Sequence, residues 1–222
     1  MPYRSTPRTE ARRQAARARL IDAAEAQMAA DGYASASVAA VADRAGVATG
    51  TVYRHFAAKA ELLAEVYRRR AADELALARG VTGDRRRPAR ERIAAAVEAF
   101  ARRALAGPVL ARAMIAEPVD PELERERAAF RRAYRDVLAG VLEDGVAAGE
   151  LAPLDVPTAA AALVGAIGEA LVGPLSPGHG GRPGGEEALV LGLVHFCLNA
   201  ITTPEAPNVD DRVPRRSDAS HA

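Results

Sequence analysis

The sequence has few of the features that secreted and membrane proteins need. Its single cysteine, Cys197, excludes an intramolecular disulfide, and no charged-then-apolar leader with a cleavage site begins the chain. The longest uncharged stretch, residues 188–204, has 17 residues, whereas a membrane-spanning helix needs roughly 20 apolar ones. We therefore expect a protein of a reducing cytoplasm that has no membrane partner.

Aromatic residues are also scarce. They make up 4% of the chain, tryptophan is absent, and no segment sustains the period-two alternation that is typical of strands. Apolar residues instead recur at offsets of three and four, which is the period of an amphipathic helix. The chain is therefore predicted to be all-α, with about nine helices.

Patterns of catalytic and metal-binding residues are missing as well. None of the four histidines has a second histidine or a cysteine at a metal-ligand spacing, and Ser176 and His179 lie in a Gly/Pro-rich loop without a nucleophile elbow. Cys197, close to His195, is interpreted as a buried thiol, with a redox sensor as the alternative. We expect neither enzymatic activity nor a metal or other cofactor.

Charge is distributed unevenly along the chain. The formal net charge is only +1, but residues 1–60 carry nine basic and five acidic side chains, so the rest of the chain is mildly acidic. Because nearly all the basic residues are arginine, with Lys59 the only lysine, their abundance alone is weak evidence for nucleic-acid binding. Their position favours it, since a basic front segment can approach phosphates while an acidic body stays away.

Glycine and proline divide the chain into predicted helices. Gly32 is placed to end the first helix, Ser37 to cap a short second helix, and Gly46 to end that one. A loop at Gly80–Pro88 then separates the front part from the body. The predicted helices are Thr9–Ala30, Ser37–Gly46, Thr49–His55, Lys59–Arg79, Ala89–Leu105, Pro108–Ala116, Pro121–Gly145, Val156–Val172 and Glu186–Thr202, followed by a disordered tail at residues 204–222.

The most specific stretch is residues 37–56, SVAAVADRAGVATGTVYRHF. Two short helices that cross steeply need a small residue where they meet, a turn residue that accepts positive φ, and apolar inner faces. Ala42, Gly46 and three valines supply these at a spacing typical of a helix-turn-helix. The second helix of such a unit enters the DNA major groove, and its outward side chains here would be Thr49, Thr51, Tyr53, Arg54 and His55.

Residues 32–63, GYASASVAAVADRAGVATGTVYRHFAAKAELL, resemble the signature of the TetR family, with its Gly-Tyr pair, A-G-V turn, G-T-V-Y-x-H-F and K-x-E-L-L segments. The resemblance implies a three-helix DNA-binding domain at residues 9–57. It also implies a larger regulatory and dimerisation domain at residues 58–203, to which helix four, residues 59–79, makes the connection.

The family resemblance also implies the DNA-binding residues. Thr49, Gly50 and Thr51 would face bases or nearby phosphates, and Tyr53, His55 and Lys59 would hold the phosphate backbone. Ala48 and Ala58 stand where family members often have a capping residue, so weaker helix caps are expected. The full predicted set is Ser37, Thr49, Gly50, Thr51, Tyr53, Arg54, His55 and Lys59.

Some of these residues have alternative interpretations. Phe56 is assigned to the core rather than to DNA, because it closes the apolar face. His55 could be an ordinary surface histidine. A solvated basic face is as good an interpretation as phosphate binding for three arginines of the first helix, Arg12, Arg13 and Arg17.

The body is expected to dimerise and to bind a ligand. Helices eight and nine carry more apolar surface than one helical layer buries, and the resemblance implies a homodimer interface built from them. It also implies release of a repressor from a palindromic double-stranded DNA operator by a small organic ligand. The alternatives are a ligand-independent or activating regulator and an all-helical protein that does not bind DNA. The candidate ligand-binding residues are Phe100, Arg103, Met114, Glu117, Phe130, Tyr134 and Glu169.

Overall fold

The computed structural model describes residues 7–178 and 184–201, which contain nine α-helices and no strand. The all-α prediction is confirmed. The predicted disordered tail at residues 204–222, and part of the Gly/Pro-rich loop before it, lie outside the described residues. The helices are α1 (Pro7–Ser35), α2 (Val38–Arg44), α3 (Thr49–Tyr53), α4 (Lys59–Thr82), α5 (Ala89–Ala106), α6 (Pro108–Ile115), α7 (Pro121–Ala147), α8 (Val156–Val172) and α9 (Gly185–Ala200).

The helix ends lie close to the predicted ones, with two differences. Gly32 interrupts α1 with φ 80° and ψ 179°, and a short further turn follows it. α4 continues to Thr82, beyond the predicted end. The Thr82 hydroxyl donates to the Ala78 carbonyl at 2.8 Å, and Arg92 Nε donates to the Thr82 carbonyl at 2.6 Å. These bonds satisfy backbone groups that a helix end otherwise leaves to water.

The described residues form two hydrophobic cores. The front core packs α1 to α4 around buried side chains such as Phe56 and Leu63, and it also takes in Ala113 of α6 and Leu123 of α7. The body core is built mainly from α5, α7, α8 and α9. α4 contributes to both cores, and Phe130 packs against both. Because packed interiors deform little, a shift in the body can be transmitted to the front part.

The described residues can be searched for a membrane-spanning helix and for a metal site, neither of which the sequence predicts. Within the described ranges, no helix is long and apolar enough to cross a bilayer. No group of three His, Cys, Asp or Glu side chains in those ranges is placed to hold a metal ion. Cys197 is buried, and burial raises the pKa of its thiol to about 11. Little thiolate forms at neutral pH, which supports the interpretation as a buried thiol.

Candidate nucleic-acid interface and ligand cavity

α2 and α3 form the helix-turn-helix that the residue spacing predicts. The Ser37 hydroxyl accepts a hydrogen bond from the Ala40 N–H at 3.1 Å and so caps α2. At the turn, Gly46 has φ 66°, a conformation that a side chain would strain. The Val47 N–H donates back to the Ala42 carbonyl at 3.0 Å. The chain therefore enters α3 through a fixed turn.

Buried apolar residues hold α3 in place. Val41, Val52 and Phe56 are each at most 1% exposed. The assignment of Phe56 to the core is confirmed. Because Val52 points inward, the residues on either side of it are directed toward solvent.

The outward face of α3 presents the predicted DNA-binding side chains. Tyr53 is 54% exposed, which is unusual for a large aromatic residue outside a binding surface. As expected, Ala48 and Ala58 provide no side-chain cap for the helices that follow them. Exposed or half-buried residues that share this surface with Tyr53 are Thr49, Gly50, Thr51 and Arg54.

His55 lies at the edge of this face and is half-buried. Its Nδ1 atom is buried and has no hydrogen-bond partner within the described part of the chain. Burial lowers the pKa of His55 from its ordinary value, and the positive charges of Arg13, Arg54 and Arg17 lower it further. The same three charges would attract an anion placed beside the imidazole.

The arginines of α1 differ in what they contact. The Arg17 guanidinium lies 4.8 Å from the centre of the Phe56 ring, and its Nη2 atom is 3.1 Å from Glu65 Oε2. Arg17 therefore fastens α1 to α4. Arg12 and Arg13 are exposed, and neither forms an ion pair with any residue that the structure describes. These two remain available to an external phosphate.

Lys59 has a structural role that the sequence did not reveal. Its ammonium donates to the Tyr33 carbonyl at 3.2 Å and to the Ala34 carbonyl at 3.3 Å. It also lies 4.9 Å from the centre of the Tyr33 ring, a cation–π distance. Lys59 thus joins the first residue of α4 to the end of α1, and one of its three N–H donors is left for the predicted phosphate contact.

Tyr33 connects the front part to the body. Its backbone N–H donates to Glu117 Oε2 at 2.9 Å, and its hydroxyl donates to the Asp120 carboxylate. Asp120 in turn accepts hydrogen bonds from the Glu122 and Leu123 N–H groups at 3.1 Å and caps α7. We call Tyr33, Lys59, Glu117 and Asp120 the Tyr33 junction.

Glu117 belongs to this junction and does not line the cavity of the body that is described below, although it was among the predicted ligand-binding residues. Its side chain is buried, and Arg112 Nη1 lies 3.3 Å from its Oε1 atom. A Cβ atom on Gly32 would lie 3.1 Å from that same oxygen, in a backbone conformation with φ 80°. Glycine at position 32 therefore lets the carboxylate approach the end of α1.

A cavity of about 670 Å³ lies in the body and is lined by α4 to α8. Four aromatic rings form one side of it, with neighbouring centroids 5.3–6.5 Å apart. Glu169 of α8 also lines the cavity. The structure thus brings together five of the seven predicted ligand-binding residues, Phe100, Met114, Phe130, Tyr134 and Glu169.

Arg103 lies beside this cavity. It lines a smaller space of about 120 Å³ that shares Phe100, Met114 and Phe130 with the larger one. Its Nε atom donates to Glu74 Oε2 at 2.9 Å. Because Arg103 already has a carboxylate partner, it is less available to a ligand than an unpaired arginine would be.

Sequence reasoning missed most of the polar residues that line the larger cavity. Arg127, Arg131 and Arg135 recur every fourth residue on α7 and therefore share one helix face. This four-residue spacing could have been recognised in the sequence as one basic face of a helix. Tyr67 of α4 and the small residues Gly165 and Gly168 of α8 also line the cavity, and no pattern in the sequence linked them to α7.

Arg127 ties the cavity wall to the Tyr33 junction. It is only 6% exposed. Its Nε atom donates to the Met114 carbonyl at 2.9 Å, and Nη2 donates to the carbonyls of Ala113 and Glu117 at 3.2 and 2.9 Å. Its Nη1 atom donates to Glu124 at 2.8 Å. One guanidinium therefore holds the end of α6, which forms part of the cavity, together with the backbone of Glu117.

α8 and α9 leave apolar surface exposed. Phe196 is 60% exposed and Leu191 is 47% exposed, both on α9. A shallow groove between the two helices is lined by Ala166, Ala170, Leu189, Gly192, Leu193 and Phe196. Large exposed apolar patches usually mark an interaction surface.

Two family models match the chain. One, described as bacterial regulatory proteins of the tetR family, matches residues 20–66. The other, described as a tetracyclin repressor-like C-terminal domain, matches residues 86–170. Together they cover more than half of the chain, and the gap between them falls in α4 and the loop after it. No curated protein matches the chain.

Solved structures of bacterial regulators share the fold. FadR from Bacillus subtilis, described in complex with stearoyl-CoA, is 24% identical with a TM-score of 0.71, over 83% of this chain and 98% of that one. FadR from Bacillus halodurans, a fatty acid degradation regulator, is 22% identical with a TM-score of 0.68, over 82% and 97%. A tetR-family regulatory protein from Rhodococcus is 23% identical with a TM-score of 0.63, over 86% and 98%.

Proposed function

Since the chain belongs to the TetR family of bacterial transcriptional regulators, we propose that it is a homodimeric repressor that a small organic ligand releases from a palindromic operator. The observation that carries the proposal is the division of α3 into a buried side and a polar exposed side. Val52 is buried while Tyr53 is 54% exposed. A five-residue helix that needs only one side for the core has the other side free for base edges and phosphates. This function would place the protein in the cytoplasm with its operator.

Electrostatics support the same surface. Arg54 and His55 follow the exposed side of α3, and Arg13 of α1 is close enough to His55 to lower its pKa. Because most protein–DNA hydrogen bonds go to phosphate, these groups would position the helix while Thr49, Gly50 and Thr51 meet the bases.

A second copy of the chain would cover the exposed face of α8 and α9. Phe196 and Leu191 would become buried in a two-fold interface, where each contact occurs twice. The two copies of α3 would then lie about 34 Å apart, one turn of DNA, and read the two halves of a palindrome.

The cavity is the proposed ligand site. Its volume of about 670 Å³ lies within the range of small-molecule sites, and its aromatic wall suits an apolar ligand. FadR from Bacillus subtilis has the same fold and is described with stearoyl-CoA, whose acyl chain is apolar. A fatty acyl compound is therefore the first ligand to test.

Release would proceed from the cavity to α3 through the contacts described above. A ligand that displaces the end of α6 would move the carbonyls that Arg127 holds, and with them Glu117. Glu117 and Asp120 bind Tyr33, and Tyr33 binds Lys59 at the start of α4. A small shift at the cavity would thus change the distance between the α3 helices of the two protomers. The ligand would favour the state in which that distance fits DNA poorly.

The function can be tested with DNA fragments selected from the source genome by the purified protein. We expect a palindromic site that is bound with a steep loss of affinity as salt rises, and with two protomers per site. Stearoyl-CoA should lower the affinity for that site. If the selection returns no shared sequence, or if binding is equal on unrelated duplexes, the proposed function is wrong.

Operator affinity should also depend on pH through His55. In the free protein, burial and the charges of Arg13, Arg54 and Arg17 hold its pKa below the ordinary value. A nearby phosphate would raise that pKa again, so the complex would take up protons and affinity would increase as pH falls from about 8 to about 6. At most one proton per protomer is involved, so the gain is at most about tenfold per pH unit for each protomer.

Fluorescence anisotropy of a labelled operator at fixed salt would measure this dependence. The His55→Gln variant should give a flatter profile, because glutamine keeps hydrogen-bonding capacity and cannot titrate. Equal slopes for the variant and the parent protein would show that other groups take up the proton.

A further inference from the structure

We propose that the cavity selects an anionic amphiphile, whose apolar body lies among the aromatic rings and whose carboxylate or phosphate group binds Arg131 and Arg132. The inference rests on the proposed function in one respect, namely that this cavity is the ligand site. It adds the chemical class of the ligand and the residues that recognise its charge.

The apolar part of the site is well defined. Phe100 and Tyr134 meet edge to face with centroids 5.3 Å apart, and Phe130 lies 5.7 Å from Tyr134. Gly165 and Gly168 of α8 also line the cavity and present no side chain to it. An acyl or aryl body can therefore lie between the rings and the backbone of α8, where it would leave water.

Positively charged side chains outnumber negatively charged ones around the cavity. Among the residues that the structure describes, four arginines of α7 line the cavity, against one carboxylate, Glu169. Arg127 donates its hydrogen bonds to three backbone carbonyls and to Glu124. Arg135 Nη2 lies 3.0 Å from Asp136 Oδ1. Arg131 and Arg132 have no carboxylate within 4.0 Å in the described ranges. These two guanidinium groups are the cations left for a ligand.

Tyr67 supplies a second polar group at the same place. It is 2% exposed and lines the cavity, and its hydroxyl forms no hydrogen bond to any residue that the structure describes. Burial raises the pKa of this hydroxyl to about 12, and the positive charges of Arg127 and Arg131 act in the opposite direction. The hydroxyl therefore stays protonated, lies within the field of Arg131, and can donate a hydrogen bond to an anionic or carbonyl oxygen.

Glu169 limits where the anionic group can lie. It lines the cavity from α8, whereas the arginines line it from α7, and Glu169 also lines the groove that contains Phe196. A negative group near the Glu169 carboxylate would be repelled, so the anionic end of the ligand should lie at Arg131 and Arg132, which are exposed, and the apolar end at the buried Tyr134.

Isothermal titration calorimetry with four probes of equal chain length tests the proposal: dodecanoate, dodecyl phosphate, dodecanol and dodecyltrimethylammonium. We expect at least one of the two anions to bind about tenfold or more tightly than dodecanol, and the cation to bind most weakly. The double variant Arg131→Ala/Arg132→Ala should lose this preference while dodecanol binds as before. Arg125→Ala is the matched control, because Arg125 is exposed on the same helix and does not line the cavity.

The two anionic probes also distinguish which charged group the site recognises. Binding of dodecanoate would show that a free carboxylate suffices, whereas binding of dodecyl phosphate alone would indicate a phosphate-bearing ligand. Equal affinity for dodecanol and both anions, or an unchanged preference in the double variant, would overturn the proposal. An anion that binds as expected but leaves operator affinity unchanged would contradict the proposed release mechanism instead.

Discussion

The Tyr53→Ala/Arg54→Ala variant should bind its operator at least about 100-fold more weakly than the parent protein. Both side chains are exposed on the outward face of α3, and neither side chain forms a hydrogen bond or ion pair with a residue that the structure describes, so DNA binding has no such contact to break. One lost contact to a base or phosphate costs about 1–3 kcal/mol, and a dimer loses each contact twice. The measurement is operator anisotropy at several salt concentrations, where the slope against log salt should also become shallower.

Two controls make the result specific to DNA. The free energy of unfolding should change by less than about 0.5 kcal/mol, because exposed side chains contribute little to stability. Arg125→Ala removes an exposed arginine from α7, far from the helix-turn-helix in sequence, and should leave operator affinity unchanged. If Tyr53→Ala/Arg54→Ala binds the operator as tightly as Arg125→Ala does, α3 is not the reading helix.

Local signals predicted most of the fold. Gly46 could be assigned to the turn because two short helices that cross steeply need a turn residue that accepts positive φ. In the structure, Gly46 has φ 66°. Ser37 could be assigned to a helix cap because serine has a hydroxyl that reaches the free amides, and it accepts the Ala40 N–H. Such features depend on residues within four positions of each other, so one sequence is enough to find them.

The Tyr33 junction could not be predicted in the same way. Tyr33 and Glu117 are 84 residues apart, and the hydrogen bond between them depends on how α6 packs against α1. Glu117 was predicted to bind ligand because it lies in residues 100–134, where apolar and charged residues are mixed, yet its carboxylate faces the end of α1. Proximity along the chain does not determine which side of a helix end a side chain occupies.

Lys59 illustrates how one residue can serve two purposes. The family resemblance assigned it to phosphate, and in the structure it also holds the Tyr33 and Ala34 carbonyls. If Lys59 binds phosphate as well, it contacts the DNA backbone and the end of α1 at the same time. Ligand and DNA would then compete through Tyr33, which meets Glu117 with its N–H and Lys59 with its carbonyl. Both ends of the proposed release path would therefore converge on Tyr33, which belongs to the Gly-Tyr pair of the family signature.

The Arg127→Leu variant should lose about 3–5 kcal/mol of unfolding free energy. Leucine fills part of the same space but leaves Glu124 and the carbonyls of Met114, Ala113 and Glu117 without their donor. Removing one member of a buried polar network costs this much because the remaining groups stay out of water and unsatisfied. Urea denaturation would measure the change as a lower midpoint with a similar slope.

Arg131→Leu is the matched control for this variant. It makes the same substitution four residues later on the same face of α7, but Arg131 is exposed and holds no backbone carbonyl in the described part of the chain. Its stability should lie within about 0.5 kcal/mol of the parent protein. Equal stabilities for the two variants would mean that Arg127 does not hold α6 in place, and the path from the cavity to Tyr33 would then lack its first step. A selective loss in Arg127→Leu would instead establish that the cavity wall and Glu117 depend on a single guanidinium.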